Sequence, residues 1–301
     1  MLKQRILTAL VLLIVFGAAL WAPMPAPFML LTLLLVTAAQ WEWSRLVGGR
    51  KSLNYGVFGV LVIFSLIVPY FNLGDWLRQA HWPEGVHPGG PALWLYWCPA
   101  SLLWIIGGPW LLRRGVARWP DLPLTLRQFV GQWVLFVAWF SLVSACMMGI
   151  NFLLSTLTLV WAADTAAYFV GRALGGKFTG GRKLAPSISP GKSWEGAAGG
   201  FIGVLLTGAI WIGVDRAWQL PPSLYTIFWQ RGAVWFVGAL ALLTVMSVVG
   251  DLTESLVKRA AGVKDSSNLL PGHGGVLDRI DALLPTLPLA MLLVTIGSSP
   301  A

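Results

Sequence analysis

Long runs of apolar residues constrain the fold of this chain more than any other feature of its sequence. A transmembrane helix needs about 20 apolar residues at a rise of about 1.5 Å per residue. Nine such runs can be placed in the sequence, at 6–22, 26–44, 53–72, 92–112, 129–148, 150–171, 196–214, 232–250 and 282–298. The pattern predicts an all-α, polytopic membrane protein with about nine transmembrane helices.

Composition excludes several other classes of protein. Hydrophobic residues make up 56% of the chain and charged residues 11%, whereas globular domains average about 45–50% apolar and about 25% charged residues. A water-soluble domain and a disordered chain are therefore excluded, and the continuous apolar runs also exclude a transmembrane β-barrel. Two cysteines, Cys98 and Cys146, form no CxxC motif, and we interpret them as free thiols.

Basic residues fall almost entirely on one side of the predicted topology. Of the 21 Lys and Arg residues, only Arg78, Arg216 and Arg231 lie on the opposite side. Because cytoplasmic loops are enriched in Lys and Arg, the N-terminus is predicted in the cytoplasm and the C-terminus outside. The net charge of +9 then reflects these loops, so we expect no nucleic-acid partner.

Two long cytoplasmic loops indicate where function resides. About four helices are expected in residues 1–128, and a catalytic region is expected in 129–301. Within the second region, the loops 172–195 and 251–281 are long and rich in polar residues. Since loops carry a disproportionate share of binding and catalytic residues, we expect the site in these two segments.

The first loop combines basic residues with glycines and serines. Glycines let backbone N–H groups approach an anion closely, and Ser193 is placed to cap the following helix, whose free N–H groups favour phosphate. A P-loop is excluded, because Pro186 stands where its first glycine would be and no strand precedes it. The alternative is a loop that only fixes topology. The candidate phosphate-binding residues are Arg172, Ser187, Ser189, Lys192 and Ser193.

Acidic residues near the ends of apolar runs allow two interpretations. Asp164 lies inside the span 150–171, where an unpaired carboxylate costs about 2.5–3.5 kcal/mol. It could pair with Arg172, two turns further on the same helix face, or line the site from within the membrane. Glu42 and Arg45 lie three residues apart at a span end, and we interpret them as a surface ion pair.

The second loop carries carboxylates at helical spacing. Asp251 and Ser255 are four residues apart and Asp278 and Asp281 three apart, so each pair shares one helix face. Such hard oxygen ligands suit Mg²⁺, which binds one or two carboxylates together with substrate phosphates. Cations that would balance phosphate charge are Lys258, Arg259, Lys264 and Arg279. A solvated loop with scattered ion pairs is the alternative.

Three motifs together resemble those of one enzyme family. The run S-x-V-K-R from Ser255, K-D-x-S from Lys264 and L-P-x-H-G-G-V-x-D-R-I-D ending at Asp281 resembles the signature of the phosphatidate cytidylyltransferases, or CDP-diacylglycerol synthases. The block I-S-P-x-K-S-x-E-G is similar to their cytoplasmic loop, although many members have Lys where Gly191 stands here. The run around Asp164 is also similar. The resemblance rests on specific motifs over residues 160–281. Over residues 1–150 it consists only of a similar pattern of hydrophobic spans.

This resemblance implies an activity and a set of site residues. CTP and phosphatidic acid would react to form CDP-diacylglycerol and pyrophosphate. The implied cofactors are Mg²⁺ and a second cation, such as K⁺. The implied assembly is a homodimer embedded in membrane lipid. Implied metal ligands are Asp251, Ser255, Asp278 and Asp281. Implied catalytic residues are Lys258, Arg259, Lys264, Asp265, His273 and Arg279. Implied substrate-binding residues are Asp164, Arg172, Ser187, Ser189, Lys192, Ser193, Gly274 and Gly275.

Two other functional classes agree less well with the sequence. A transporter of lipids or solutes usually places polar groups near the bilayer midplane, whereas the polar residues here collect at one surface. It remains the alternative hypothesis. A CDP-alcohol phosphatidyltransferase is disfavoured, because its D-G-x-x-A-R…G-x-x-x-D-x-x-x-D helix is absent from the sequence.

Overall fold

A computed structural model describes residues 2–48 and 91–296 of the chain, and most of these residues are helical. The predicted span 53–72 lies outside the described residues. The helices are α1 Leu2–Leu20, α2 Ala26–Leu46, α3 Pro91–Leu102, α4 Gly108–Arg114, α5 Leu124–Met147, α6 Ile150–Leu174, α7 Trp194–Trp218, α8 Leu224–Gln230, α9 Ala233–Ala260, α10 Leu277–Ile280 and α11 Leu283–Ile296. A π-helical turn, Leu103–Gly107, joins α3 to α4, and a 3₁₀ turn, Val116–Arg118, precedes α5.

Several described helices are apolar and long enough to cross a membrane. By length and composition, five segments qualify: Leu124–Met147, Ile150–Leu174, Trp194–Trp218, Ala233–Ala260 and Leu277–Ile296. A shorter apolar helix covers Ile6–Leu20. The predicted all-α class of membrane protein is therefore confirmed, while nine spans and the orientation of the termini stay predictions.

Local sequence signals place several helix boundaries. Helices α5 and α6 are separated at Gly149, whose φ of +126° is easily reached only by glycine. This agrees with the predicted division between the spans 129–148 and 150–171. The Ser193 side chain accepts a hydrogen bond from the Gly196 N–H at 3.1 Å, so Ser193 caps α7 as predicted. Cys98 and Cys146 are both free thiols.

Helices α6 and α7 pack through glycines that leave no room for a side chain. A Cβ on Gly200 would lie 2.9 Å from the Ala163 carbonyl oxygen, and a Cβ on Gly196 would lie 3.0 Å from that of Ala167. Small residues let helix backbones approach closely inside a membrane. This contact holds α6, and therefore Asp164, beside the N-terminus of α7.

A β-hairpin lies within the loop 172–195, where the sequence predicted no strand. Strands β1 Lys183–Ala185 and β2 Ser189–Ser193 pair antiparallel, with an irregular register between them. Because β2 runs directly into α7, the hairpin positions Lys192 immediately before the helix cap. The short helices α8 and α10 were also not predicted, since four to seven residues carry too weak a periodic signal.

Candidate active site

The C-terminal half of α9 carries the first group of polar side chains. The Lys192 ammonium from β2 contacts the Asp251 carboxylate at 2.5 Å, and the Ser255 hydroxyl lies 3.3 Å from the other oxygen of Asp251. Both ends of the Lys192–Asp251 pair are partly exposed, at 26% and 29%. This pair joins the two polar loops that the sequence analysis singled out separately.

Lys258 lies one helical turn after Glu254 and connects α9 to α10. Its ammonium forms a close ion pair with Glu254 and contacts the Asp278 carboxylate at 2.6 Å. The three side chains are only 11%, 3% and 6% exposed. Charges removed from water to this extent are stable only when they are paired, so Lys258 is the counter-ion of two buried carboxylates.

Asp278 also organises the segment between α9 and α10, residues 261–276, which we call the signature loop. One carboxylate oxygen accepts hydrogen bonds from the Ser266 N–H at 2.9 Å, the Ser266 hydroxyl at 2.9 Å and the Gly275 N–H at 2.7 Å. The other oxygen faces Lys258. Three donors saturate the first oxygen, so any further ligand of Asp278 must use the oxygen shared with Lys258.

The turn of the signature loop is formed by backbone contacts. Gly274 adopts a φ of +85°, and its carbonyl accepts a hydrogen bond from the Leu270 N–H at 2.8 Å. Arg279 donates to the His273 carbonyl oxygen from Nε at 3.1 Å and from Nη2 at 2.8 Å. The Arg279 guanidinium therefore stabilises the turn. The sequence analysis had listed Arg279 among the implied catalytic residues.

A polar cavity of about 470 Å³ lies between α6, α7, α9 and the hairpin. Its polar lining includes Asp164, Arg172, Ser189, Lys192, Ser193 and Asp251. Arg172 donates to the Tyr168 hydroxyl at 3.0 Å, and no ion pair between Arg172 and Asp164 occurs in the described part of the chain. The suggested structural pair is therefore wrong, and Asp164 faces the cavity beside Asp251.

Not every predicted site residue reaches this cavity. Lys264 and Asp265 open onto a second cavity of about 560 Å³, on the far side of the signature loop. Ser187 is exposed in the hairpin turn. Arg259 contacts the Ile188 carbonyl oxygen at 3.5 Å and donates to the Val263 carbonyl at 3.2 Å, so it links α9 to the hairpin.

Glu42 is the main residue that the sequence analysis assigned incorrectly. It is fully buried, and its carboxylate accepts hydrogen bonds from the Val276 N–H at 3.0 Å and the Leu277 N–H at 2.7 Å. Arg45 instead lies over the Trp41 ring, 4.6 Å from its centre. The predicted surface pair is wrong. The cost of burying a carboxylate within a span, which singled out Asp164, would also have singled out Glu42.

Glu195 is a second carboxylate without an assigned role in the sequence analysis. It follows the Ser193 cap, and one oxygen accepts hydrogen bonds from the Thr179 N–H at 3.0 Å, the Thr179 hydroxyl at 2.8 Å and the Phe178 N–H at 3.2 Å. These contacts attach the glycine-rich loop after α6 to the first turn of α7. The cavity wall near Arg172 is thereby fixed.

Comparison with known proteins finds similar sequences over nearly the whole chain. The model of the cytidylyltransferase family matches residues 3–297. The phosphatidate cytidylyltransferase of Pseudomonas aeruginosa is 36% identical over 293 residues, which cover 96% of this chain and 95% of the relative. That of Haemophilus influenzae is 36% identical over 297 residues, or 96% of each chain. That of Brucella suis is 32% identical over 308 residues, covering 99% and 95%. By this match over nearly its whole length, and by the motifs gathered around α9, the chain belongs to the cytidylyltransferase family.

Proposed function

We propose that this protein is a phosphatidate cytidylyltransferase, which converts CTP and phosphatidate to CDP-diacylglycerol and pyrophosphate. The main observation behind the proposal is that the two polar loops contact each other at α9. There Lys192 forms an ion pair with Asp251 beside the polar cavity. The names of the full-length relatives support the same substrates. They favour the enzyme over the transporter hypothesis.

The reaction joins two anions, so charge neutralisation is its main demand. An oxygen of the phosphatidate headgroup attacks the α-phosphorus of CTP, and pyrophosphate leaves. A lipid phosphate that is already ionised needs no general base, so catalysis rests on positioning and on electrostatic stabilisation. Lys192 and Arg172, on the wall of the polar cavity, are the cations placed to bind the phosphates. Lys258 orients Asp278, and Asp278 holds the signature loop in place.

The carboxylates near the cavity fit a divalent cation such as Mg²⁺. Asp281 lies within electrostatic reach of Asp251, Asp164 and Lys258. Lys258 is already paired with Glu254 and Asp278, and Lys192 is the one cation that forms an ion pair with any of Asp164, Asp251 and Asp281 in the described ranges. An excess of carboxylates in a partly dry site favours a bound cation. Bound Mg²⁺ would screen the phosphates and polarise the phosphorus under attack.

Asp251 and Asp281 are the proposed metal ligands, and Ser255 supports Asp251. Asp278 has one oxygen open to a cation beside Lys258. Among the residues that the structure describes, no three His, Cys, Asp or Glu side chains already form a ligand cluster. A second cation, such as K⁺, is part of the proposal from the family resemblance alone.

The proposed membrane arrangement has nine spans in the inner membrane, with the site facing the cytoplasm. Its support is that basic residues occur in the last turns of four long or paired helices predicted to end in the cytoplasm, at Arg45 in α2, Arg113 and Arg114 in α4, Arg172 in α6, and Lys258 and Arg259 in α9, whereas α7, which is predicted to end outside, carries only Arg216 there. The positive-inside rule assigns the ends of those four helices to the cytoplasm. The lipid headgroup would then reach the polar cavity from the inner leaflet. A homodimer is proposed from the family resemblance.

A turnover assay tests the proposed function directly. Detergent-purified protein is incubated with radiolabelled CTP and phosphatidic acid, with and without Mg²⁺. We expect a Mg²⁺-dependent, lipid-soluble cytidine product and an equal amount of pyrophosphate. No product with either CTP or dCTP, from protein that elutes as a single folded species, would refute the proposal and favour the transporter hypothesis.

A further inference from the structure

The Glu42 carboxylate, on α2, reaches two separate segments of the signature region. It accepts hydrogen bonds from the Ser267 hydroxyl at 2.5 Å on one side and from the Val276 and Leu277 N–H groups on the other. These partners are 225 to 235 residues away in the sequence. One buried side chain therefore holds together the beginning and the end of the loop that leads to Asp278.

Glu42 and Asp278 are connected through a single serine. The Ser266 hydroxyl lies 3.2 Å from one oxygen of Glu42 and 2.9 Å from Asp278. The Ser266 N–H also donates to Asp278 at 2.9 Å. Displacement of Ser266 on its Glu42 side would therefore move the donors that fix Asp278, and with them the partner of Lys258.

The fit around Glu42 is too close to admit another side chain. A Cβ added to Gly275 would overlap both the Ser266 hydroxyl and a Glu42 carboxylate oxygen. Glu42 itself is fully buried, and none of the ion pairs within the described ranges includes it. Hydrogen bonds from the signature region are thus the contacts that compensate its charge.

We propose that Glu42 is a positioning residue for the cytidylyl transfer. It touches no substrate, and it acts by setting the position of Ser266 and of the first turn of α10, so that Asp278 faces Lys258. This assigns a part in the reaction to an N-terminal helix that the sequence resemblance covered only as a hydrophobic profile. The inference rests on the proposed function, because its readout is turnover.

The test compares Glu42→Gln with wild type and with Thr37→Val. Gln preserves the shape of Glu but presents an NH₂ donor where the loop also presents donors. Thr37→Val lies on the same helix and removes only a hydrogen bond to the Leu33 carbonyl. For Glu42→Gln we expect kcat, per folded enzyme, to fall at least tenfold while KM for CTP changes less than threefold. Thr37→Val should retain both values.

Two further measurements separate positioning from a general loss of stability. Hydrogen exchange of the peptide spanning 266–277 should accelerate in Glu42→Gln and not in Thr37→Val. If Glu42→Gln does not fold, Glu42→Asp is measured instead, since it keeps the charge but shortens the reach by one methylene. The same split between kcat and KM is then expected.

The outcomes distinguish this inference from the proposed function. No turnover by folded wild-type protein would refute the function. An active wild type with a normal kcat in Glu42→Gln, or in Glu42→Asp when the Gln variant does not fold, would overturn the role of Glu42 and leave the function intact. A fall in apparent Tm with unchanged kcat per folded enzyme would also overturn it, because that result describes a purely structural residue.

Discussion

Replacement of Lys258 by Met is the most direct test of the ion-pair network at the end of α9. Met keeps an unbranched aliphatic chain but removes the ammonium that lies between Glu254 and Asp278. Both carboxylates are more than nine-tenths buried. The variant therefore leaves two buried carboxyl groups close together without their cation, so each must either carry an uncompensated charge or take up a proton.

The size of the effect follows from this burial. Removal of one partner from a buried ion pair costs about 3–5 kcal/mol, because the remaining charge is neither hydrated nor paired. For a chain of this length, each kcal/mol shifts the melting temperature by roughly 2 °C. The expected decrease in apparent Tm is therefore about 6–10 °C. Turnover should also decrease, because Asp278 loses the contact that orients it.

A matched control uses the same substitution at an exposed lysine. Lys264 lies six residues further along the chain, is exposed, and takes part in none of the ion pairs found in the described residues. Lys264→Met should change the apparent Tm by only about 1 °C, as surface substitutions usually do. Thermal unfolding of both variants in one detergent, followed by tryptophan fluorescence, measures the difference.

A double substitution tests whether charge is the cause. In Lys258→Met/Glu254→Gln, one of the two uncompensated carboxylates is replaced by an amide, so the apparent Tm should recover part of the loss. An apparent Tm of Lys258→Met within about 1 °C of wild type would refute the reasoning. A double variant that is less stable than Lys258→Met would refute the electrostatic explanation. Loss of the packing contacts of the lysine side chain would then be the remaining cause of the lower Tm.

Three further predictions concern the loops. Gly275→Ala should lower kcat about 100-fold, because its Cβ displaces the loop. Gly213→Ala, in α7 and outside the lining of the polar cavity, whose Cβ also meets nothing within 4 Å, should leave kcat unchanged, and steady-state kinetics compares the two. Lys192→Met should lower kcat/KM for CTP at least tenfold, with little change in apparent Tm because its ion pair is partly exposed. Lys183→Met, at an exposed position in strand β1 of the same hairpin, is the control, and equal kcat/KM values for the two variants would contradict a role for Lys192. Asp278→Asn should lower kcat at least about 100-fold in protein that still elutes as folded, and near-normal turnover would remove Asp278 from the site.

Local signals in the sequence predicted much of the fold. Apolar runs located the described spans, Gly149 separated α5 from α6, and Ser193 capped α7. Each of these features depends on residues within one or two helical turns. The two polar loops stood out because charged residues beside a membrane span are unusual, and the structure brings them together at the Lys192–Asp251 pair.

Contacts between distant parts of the chain could not be predicted from the sequence. Glu42 and Arg45 have the spacing of an ordinary surface pair, and the partners of Glu42 lie more than 220 residues away. The pairing of Arg279 with the His273 carbonyl was missed for another reason. An arginine among glycines and other basic residues suggests a phosphate-binding role. A backbone carbonyl that accepts hydrogen bonds from that arginine cannot be identified from the residue types alone.

The glycine-lined contact between α6 and α7 has a consequence for motion. Since the backbones touch at Gly196 and Gly200, no layer of flexible side chains between the helices can repack, and they shift as one body. Asp164, on α6, and Lys192, directly before the α7 cap, are then carried together through the catalytic cycle. Opening of the polar cavity to admit a lipid or release pyrophosphate has to occur on the opposite wall, at α9. Two spin labels on the outer faces of α6 and α7 would keep a constant separation, while a pair across α6 and α9 would report the gate.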